Sequence, residues 1–146
     1  MVDRTVIITN IPWPEAQPAG ELPSIPAEIY TQRLQQLREK MSAEGFSHVI
    51  VYGDREHFAN VRFLSGYDPR FEEALFIVSL NDRPTIVVGN EGLDYAGIIP
   101  YELDVVLFHE FGLQGQPRHS SATLPNIFQT AGIGNNSKVG LVGTKY

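Results

Sequence analysis

The fold of this chain is decided by residues 60–89, which read NVRFLSGYDPRFEEALFIVSLNDRPTIVVG. The second half of this stretch contains two apolar runs, at 73–80 and 84–89, separated only by Asn81, Asp82 and Arg83. A link this short, made of turn-forming residues, favours antiparallel pairing of the runs on either side. We therefore predict a β-hairpin at the centre of the chain.

The first half of the stretch predicts a helix and a loop. Apolar residues at Phe58, Val61 and Leu64 share one side of a short helix over residues 56–64, and Gly66 breaks it. Residues 67–73 then form a loop that leads into the hairpin. Before this unit, residues 26–44 repeat apolar positions at spacings of three and four, which predicts a packing helix, and residues 48–52 predict a strand buried on both faces.

The chain beyond the hairpin continues to alternate between helices and strands. We predict a short helix at 92–99, a strand at 103–108, a loop at 109–120, a helix within 121–132 and a last strand at 139–143. This order predicts an α/β fold with layered helices. Because only three residues follow the last strand, we expect the chain to end at a domain boundary.

Length, charge and composition limit the classes of function. A chain of 146 residues predicts one domain, and a net charge of −6 makes a nucleic-acid backbone a poor partner. The absence of cysteine excludes disulfides and thiolate metal sites. No apolar run approaches the roughly 20 residues that span a bilayer, and the N-terminus does not resemble a signal peptide. We expect a cytoplasmic protein without a membrane partner.

Residues 1–24 are predicted to form an N-terminal arm separate from the domain at 25–146. Four prolines in this segment remove amide donors and restrict φ, which favours extended chain over helix. Residues 6–8 could add an edge strand to the sheet. Two interpretations of the arm stay open: a simple surface segment, or an arm that crosses to a neighbouring subunit with Trp13 as its anchor.

Motifs that usually carry catalysis are incomplete here. His109 and Glu110 begin like a zinc-protease helix, but Leu113 stands where the second histidine is needed, so both are expected to be solvated loop residues. The glycine-rich residues 132–136 precede a strand, whereas a phosphate loop must open a helix. Carboxylates near strand ends are interpreted as solvated loop charges: Asp54, Glu56, Asp68, Glu72 and Glu73. The residues alone thus predict no catalytic site.

The sequence Asn60-Val61-Arg62-Phe63-Leu64-Ser65-Gly66-Tyr67 resembles the N-terminal domain of the creatinase, prolidase and Xaa-Pro aminopeptidase family. The family pattern is an asparagine, two or three apolar or basic residues, an aromatic residue, leucine, a small hydroxyl residue, glycine and an aromatic residue. Ser65 stands where threonine is commoner. The helix and strand before this motif and the closing residues 138–143 also resemble the family, so the resemblance extends from about residue 25 to the end.

This resemblance implies a three-layer α/β/α fold of the ribonuclease-H-like type with a mixed β-sheet. It also implies a separate C-terminal catalytic domain holding two divalent metals (Mn, Co or Zn), so this chain would have no catalytic residue, cofactor or metal ligand of its own. Family members use the N-terminal domain for dimerisation or higher association.

The resemblance further implies that loop 67–73 can contribute to the rim of a neighbour's active site. Its candidate residues are Tyr67, Arg70 and Glu72, and the Arg70 guanidinium could pair with a substrate carboxylate. The alternative for Arg70 is a solvated loop arginine. For the parent protein, a creatinase-like amidinohydrolase or a lyase relative stays open beside the Xaa-Pro peptidase, and so does a stand-alone binding module.

Overall fold

A computed structural model describes residues 6–13, 15, 20, 24–115 and 117–143. The helices among these residues are α1 (Ala27–Glu44), α2 (Ala59–Ser65), α3 (Gly92–Tyr95) and α4 (Leu124–Thr130), with 3-10 turns at Ala96–Ile98 and His109–Phe111. The strands are β1 (His48–Gly53), β2 (Ala74–Ser79), β3 (Thr85–Val88), β4 (Asp104–Leu107) and β5 (Val139–Val142).

The five strands form one mixed sheet in the order β4-β3-β2-β1-β5. β1 pairs antiparallel with β2, and β2 pairs antiparallel with β3. The two outer strands pair parallel, β5 with β1 and β4 with β3. The hairpin predicted from residues 73–89 is therefore confirmed as β2 and β3.

Helices cover both faces of this sheet, which confirms the predicted α/β/α layering. One face of β1, β2 and β3 packs with α1 and α2, and its core includes Leu34, Met41, Val61 and Phe76. The opposite face packs with α4 through Ile127 and Phe128. Because both faces are covered, every residue of β2 and β3 is buried.

Helix α1 follows the predicted apolar stripe. Tyr30, Leu34 and Met41 are its buried residues. The polar side of α1 also holds the hairpin in place. The Arg38 guanidinium donates hydrogen bonds to the carbonyl oxygens of Ser79 at 3.0 Å and Asp82 at 2.6 Å. The end of β2 and the hairpin turn are thereby fixed against the helix.

Helix α2 begins three residues later than predicted. Residues 56 and 57 instead belong to a turn that the buried carboxylate of Asp54 stabilises by accepting hydrogen bonds from their amides. The helix ends at Gly66, whose φ of 79° lies in the left-handed region that favours glycine. The Ser65 hydroxyl donates to Val61 O at 2.7 Å and accepts from Tyr67 N at 3.1 Å, so it sets the direction of the following loop.

Two further predictions need correction. Residues 6–8 form no strand: Ile7 and Ile8 are 80% and 96% exposed, and β4 and β5 are the edge strands of the sheet. The predicted loop 109–120 contains the 3-10 turn His109–Phe111. The helix predicted within residues 121–132 is confirmed as Leu124–Thr130, whose first turn is capped by the Thr123 side chain accepting a hydrogen bond from Asn126 N. The division of the chain at residue 24 stays a prediction.

No helix in the part of the chain that the structure describes is both long and apolar enough to cross a bilayer.

Candidate functional site

A pocket of about 320 Å³ lies between the loop that follows α2 and the segment that joins β3 to α3. Its lining residues are Tyr67, Arg70, Phe71, Glu72, Glu91, Gly92 and Tyr95. All three residues predicted from the sequence as rim candidates, Tyr67, Arg70 and Glu72, therefore contribute to one cavity. The packing of α2, β2 and β3 places them there, because the loop 67–73 is held at both ends.

Glu72 forms the polar floor of this pocket. Its Oε1 accepts a hydrogen bond from Glu91 N and its Oε2 accepts one from Gly92 N, both at 3.0 Å. The side chain is only 6% exposed. A carboxylate suits this position because it satisfies amides at the start of a helix, where no intrahelical acceptor exists. Glu72 thus joins the loop to α3, and both of its oxygens are committed to the backbone.

The close approach of Glu72 depends on glycine. A Cβ atom at Gly89 would overlap the Glu72 carboxylate, and one at Gly92 would overlap the Tyr67 hydroxyl group. Both positions therefore require a residue without a side chain. The Gly89 position closes the predicted strand 84–89, but only the tertiary contact explains why it must be glycine.

Tyr67 lies behind the pocket wall. It is 2% exposed, and its ring packs against Tyr95 with the centroids 5.2 Å apart and the planes tilted by 52°. Burial and the nearby negative charge of Glu72 raise the pKa of Tyr67 to about 12. The phenol therefore stays protonated at neutral pH, and it offers the pocket an aromatic surface.

Arg70 is the exposed cation of the pocket. Its side chain is 69% exposed, and its Nε lies 3.6 Å from Asp68 Oδ2. The same oxygen lies 3.7 Å from Arg62 Nη1, so one carboxylate serves two arginines. At these distances neither guanidinium makes a short hydrogen bond to it. Arg70 consequently retains donor groups for another anion.

The other lining residues were not predicted from the sequence. Phe71 is 74% exposed. Its position between Arg70 and Glu72 was the one local signal, because a large apolar side chain is more often found in the interior than in a charged loop. Glu91 and Tyr95 lie about twenty residues further along the chain. They carried no local signal, since only the return of β3 beside the loop brings them to the pocket.

The interpretation of the acidic residues as solvated was wrong for Asp54, Asp68 and Glu72, which are between 6% and 9% exposed. Each is buried because it accepts hydrogen bonds or faces a guanidinium. Burial would raise the pKa of Asp54, but hydrogen bonds from the His57 and Glu56 amides, the His57 ring and the Tyr52 hydroxyl outweigh it and lower that pKa to about 2. Asp54 is thus a structural anion.

The histidine candidate gives no catalytic arrangement. Glu110 is exposed and pairs with Arg118 at 3.1 Å, as a solvated residue can. His109 is half-buried instead of solvated, and its Nδ1 is buried without a hydrogen-bond partner among the described residues. Within residues 24–115 and 117–143, no group of three or more histidine, aspartate or glutamate side chains is arranged to hold a metal ion.

The fold defines a class: an α/β/α domain built on a mixed five-stranded sheet, with a pocket beside the loop that follows α2. The sequence model of the Creatinase/Prolidase N-terminal domain family matches residues 33–141. The chain belongs to this family, as the motif at residues 60–67 predicted. No sequence match was found among curated proteins.

Solved structures agree with this fold. The N-terminal domain of an Xaa-Pro dipeptidase from Lactobacillus brevis superposes with a TM-score of 0.54 at 13% identity, covering 75% of each chain. The prolidase from Pyrococcus furiosus gives 0.52 at 21% identity over 78% of this chain and 29% of its own. A Streptococcus pyogenes structure described as an Xaa-Pro aminopeptidase gives 0.52 at 12% identity over 81% and 93%.

Two size comparisons limit what these similarities mean. The chain spans 24% of the length of the dipeptidase PepE from Mycobacterium ulcerans and 29% of the Pyrococcus furiosus prolidase. At these identities the similarity establishes the fold alone.

Proposed function

We propose that this chain is the non-catalytic N-terminal domain of an Xaa-Pro dipeptidase or aminopeptidase-type metallohydrolase, and that it serves self-association and substrate access. The observation that carries the proposal is the common pocket of Tyr67, Arg70 and Glu72 on the loop between α2 and β2. Family membership and the names of the structural relatives support the class of parent enzyme.

The pocket is suited to holding one end of a small acid. Arg70 presents an exposed guanidinium, which can donate two parallel hydrogen bonds to a carboxylate. Phe71 lies beside it and offers apolar area, while Glu72 keeps the loop in place through the α3 amides. In the assembled enzyme, this loop would contact a substrate whose scissile bond lies in the catalytic domain.

The two divalent metals (Mn, Co or Zn) belong, in this proposal, to the catalytic domain, and the chain itself binds no cofactor. The parent is proposed to be a cytoplasmic homodimer or higher homo-oligomer that contacts neither nucleic acid nor membrane. Its N-terminal domain would act on a neighbouring subunit through the loop 67–73.

The test is Arg70→Ala in the protein that carries this domain beside its catalytic domain. Loss of a charged hydrogen bond to substrate lowers kcat/KM for an Xaa-Pro dipeptide by about 10- to 100-fold, mainly through KM. Arg83→Ala is the matched control, because Arg83 is 63% exposed at the hairpin turn and lines neither this pocket nor the adjoining cleft that shares Phe71 and Glu72. Unchanged kinetics for Arg70→Ala would assign the loop to structure alone. The 146-residue chain alone, given the dipeptide and Mn²⁺, should show no turnover.

A stand-alone small-molecule binding module is the second candidate, and the pocket itself favours it. A calorimetric titration of the isolated chain with a small carboxylic acid distinguishes the binding module from the domain of a larger enzyme. Binding by a strictly monomeric chain supports the module, whereas self-association without acid binding supports the domain of a larger enzyme. A creatinase-like amidinohydrolase or lyase parent differs only in the catalytic domain, so activity assays with the corresponding substrates distinguish it.

A further inference from the structure

The N-terminal arm exposes large apolar side chains that find no cover on the domain. Ile11 is 81% exposed and Trp13 is 90% exposed. Trp13 is also the only tryptophan of the chain. A tryptophan exposed to this extent is a candidate anchor for an interface, because buried tryptophans are among the residues that contribute most to binding. The body of the same chain does not cover Trp13.

A wide groove of about 880 Å³ lies where the arm joins the domain. The groove is bounded by the start of α1, by both ends of α2 and by the segment that follows α3. Its apolar walls include Phe58, Phe63 and Ile98, of which Phe63 is 55% and Ile98 48% exposed. A groove with aromatic walls and this much unburied apolar area matches the shape of a site for an aromatic anchor.

Two arginines give the groove its charge. The Arg33 guanidinium lies 4.2 Å from the Phe63 ring centroid and donates a hydrogen bond to Phe63 O at 2.7 Å, so it is held over the aromatic wall. The Arg62 side chain is 58% exposed, and its Nη1 lies 3.7 Å from Asp68 Oδ2, too far for a short hydrogen bond, so it keeps donors for a second carboxylate. Guanidinium groups in this setting stack well on indole rings. The groove is therefore cationic and aromatic.

The arm has the complementary chemistry. Glu15 is exposed and lies two residues beyond Trp13 in the sequence, so the arm carries an indole and a carboxylate close together along the chain. The Trp13 indole can stack on the Arg33 guanidinium, and the Glu15 carboxylate can pair with the Arg62 guanidinium. Prolines on either side of Trp13 lower the entropy that an extended segment loses on binding.

We infer that Trp13 of one protomer docks into the Arg33 and Arg62 groove of a second copy of this chain, and that the exchange is reciprocal. A two-fold arrangement satisfies both arms and both grooves at once, and it leaves no open site for further growth. Each buried tryptophan removes roughly 150–250 Å² from water. This inference rests on the self-association in the proposed function and states which segments carry it.

The test uses the 146-residue chain and its single tryptophan. Trp13 emission is recorded across a wide range of protein concentration, together with the mass from sedimentation velocity. Docking in a partner predicts a blue shift and loss of acrylamide quenching that follow dimer formation. Emission that is blue-shifted at every concentration would mean that the arm folds onto its own domain, and emission that stays red in a dimer would mean that the arm is free. Either result overturns the inference.

Variants identify the two halves of the contact. Trp13→Ala raises the dimer dissociation constant roughly 30-fold, whereas Trp13→Phe, which keeps an aromatic anchor, raises it less. Arg62→Glu weakens the dimer by about 10-fold or more, and Arg55→Glu, outside the groove, does not. Circular dichroism checks that each variant is folded. A dimer unaffected by Trp13→Ala refutes the arm contact but leaves self-association standing, while a wild-type chain that stays monomeric refutes both.

Discussion

Replacing Glu72 with glutamine tests whether this carboxylate holds the pocket together. The two oxygens accept the Glu91 and Gly92 amides at 3.0 Å each, in a site that is 6% exposed. Glutamine keeps the shape, but its amide nitrogen must face one of the two N–H groups as a second donor. One buried amide then loses its acceptor, and the other exchanges a charged acceptor for a neutral one.

The magnitude follows from these two bonds. A hydrogen bond to a charged group contributes about 1.5–3 kcal/mol, and an unsatisfied buried amide costs about 1–3 kcal/mol. We expect Glu72→Gln to lower the free energy of unfolding by about 2–4 kcal/mol. Domains have only about 5–15 kcal/mol of stability, so this loss is large. Glu72→Ala, which also leaves a cavity, should cost at least as much.

Urea unfolding followed by circular dichroism measures the effect. Glu73→Gln is the matched control, because this neighbouring residue is only half-buried and its side chain makes no hydrogen bond to the described residues. A Glu72→Gln variant within about 0.5 kcal/mol of wild type would refute the role of the carboxylate, since ordinary surface changes have that size.

A double-mutant cycle checks the geometry independently. A Cβ at Gly89 would overlap the Glu72 carboxylate, so Gly89→Ala should be strongly destabilising by itself. Combined with Glu72→Ala, which removes the group it collides with, Gly89→Ala should cost less. Strict additivity of the two changes would contradict the contact, because residues in contact are expected to couple.

Two pH dependences follow from the buried groups. The folded-state pKa of Asp54, about 2, is below its ordinary value of 3.8, so its contribution to stability is complete above pH 3.8 and is lost as the pH falls through 2. The urea midpoint of wild type should therefore fall more steeply on acidification than that of Asp54→Asn, and parallel curves would contradict this. The folded-state pKa of Tyr67, about 12, is above its ordinary 10.0, so its contribution is complete below pH 10 and is lost as the pH rises towards 12. Tyr67→Phe should flatten the alkaline loss, and a difference-absorbance titration of phenolate follows it directly.

Local sequence patterns predicted most of the fold. The short turn at 81–83 defined the hairpin because so few residues allow no other connection. The apolar spacing of α1 placed Tyr30, Leu34 and Met41 on its buried side. The predicted start of α2 was three residues too early. The apolar spacing extended the predicted helix back to residue 56, but the Asp54 carboxylate stabilises a turn there. Side-chain capping of this kind competes with propensity and depends on burial.

The candidate site was predicted in part. The motif Asn60–Tyr67 marked the family, and the loop after it contains Tyr67, Arg70 and Glu72, which the structure gathers in one pocket. Their environments were not predictable. Glu72 looked like a solvated carboxylate because its partners, the amides of Glu91 and Gly92, are about twenty residues away and meet it only after β3 has paired with β2.

The sequence by itself determined the α/β class, the hairpin, the family and the loop in which a functional site is proposed, since these depend on spacing along the chain. Only the tertiary structure decided which charges are buried, which glycines must lack a side chain and which distant residues complete the pocket. The same is true of the groove between α1 and α2 beside the exposed Trp13. These features depend on close approach between segments far apart in sequence, where desolvation and van der Waals overlap, and not local propensity, set the free energy.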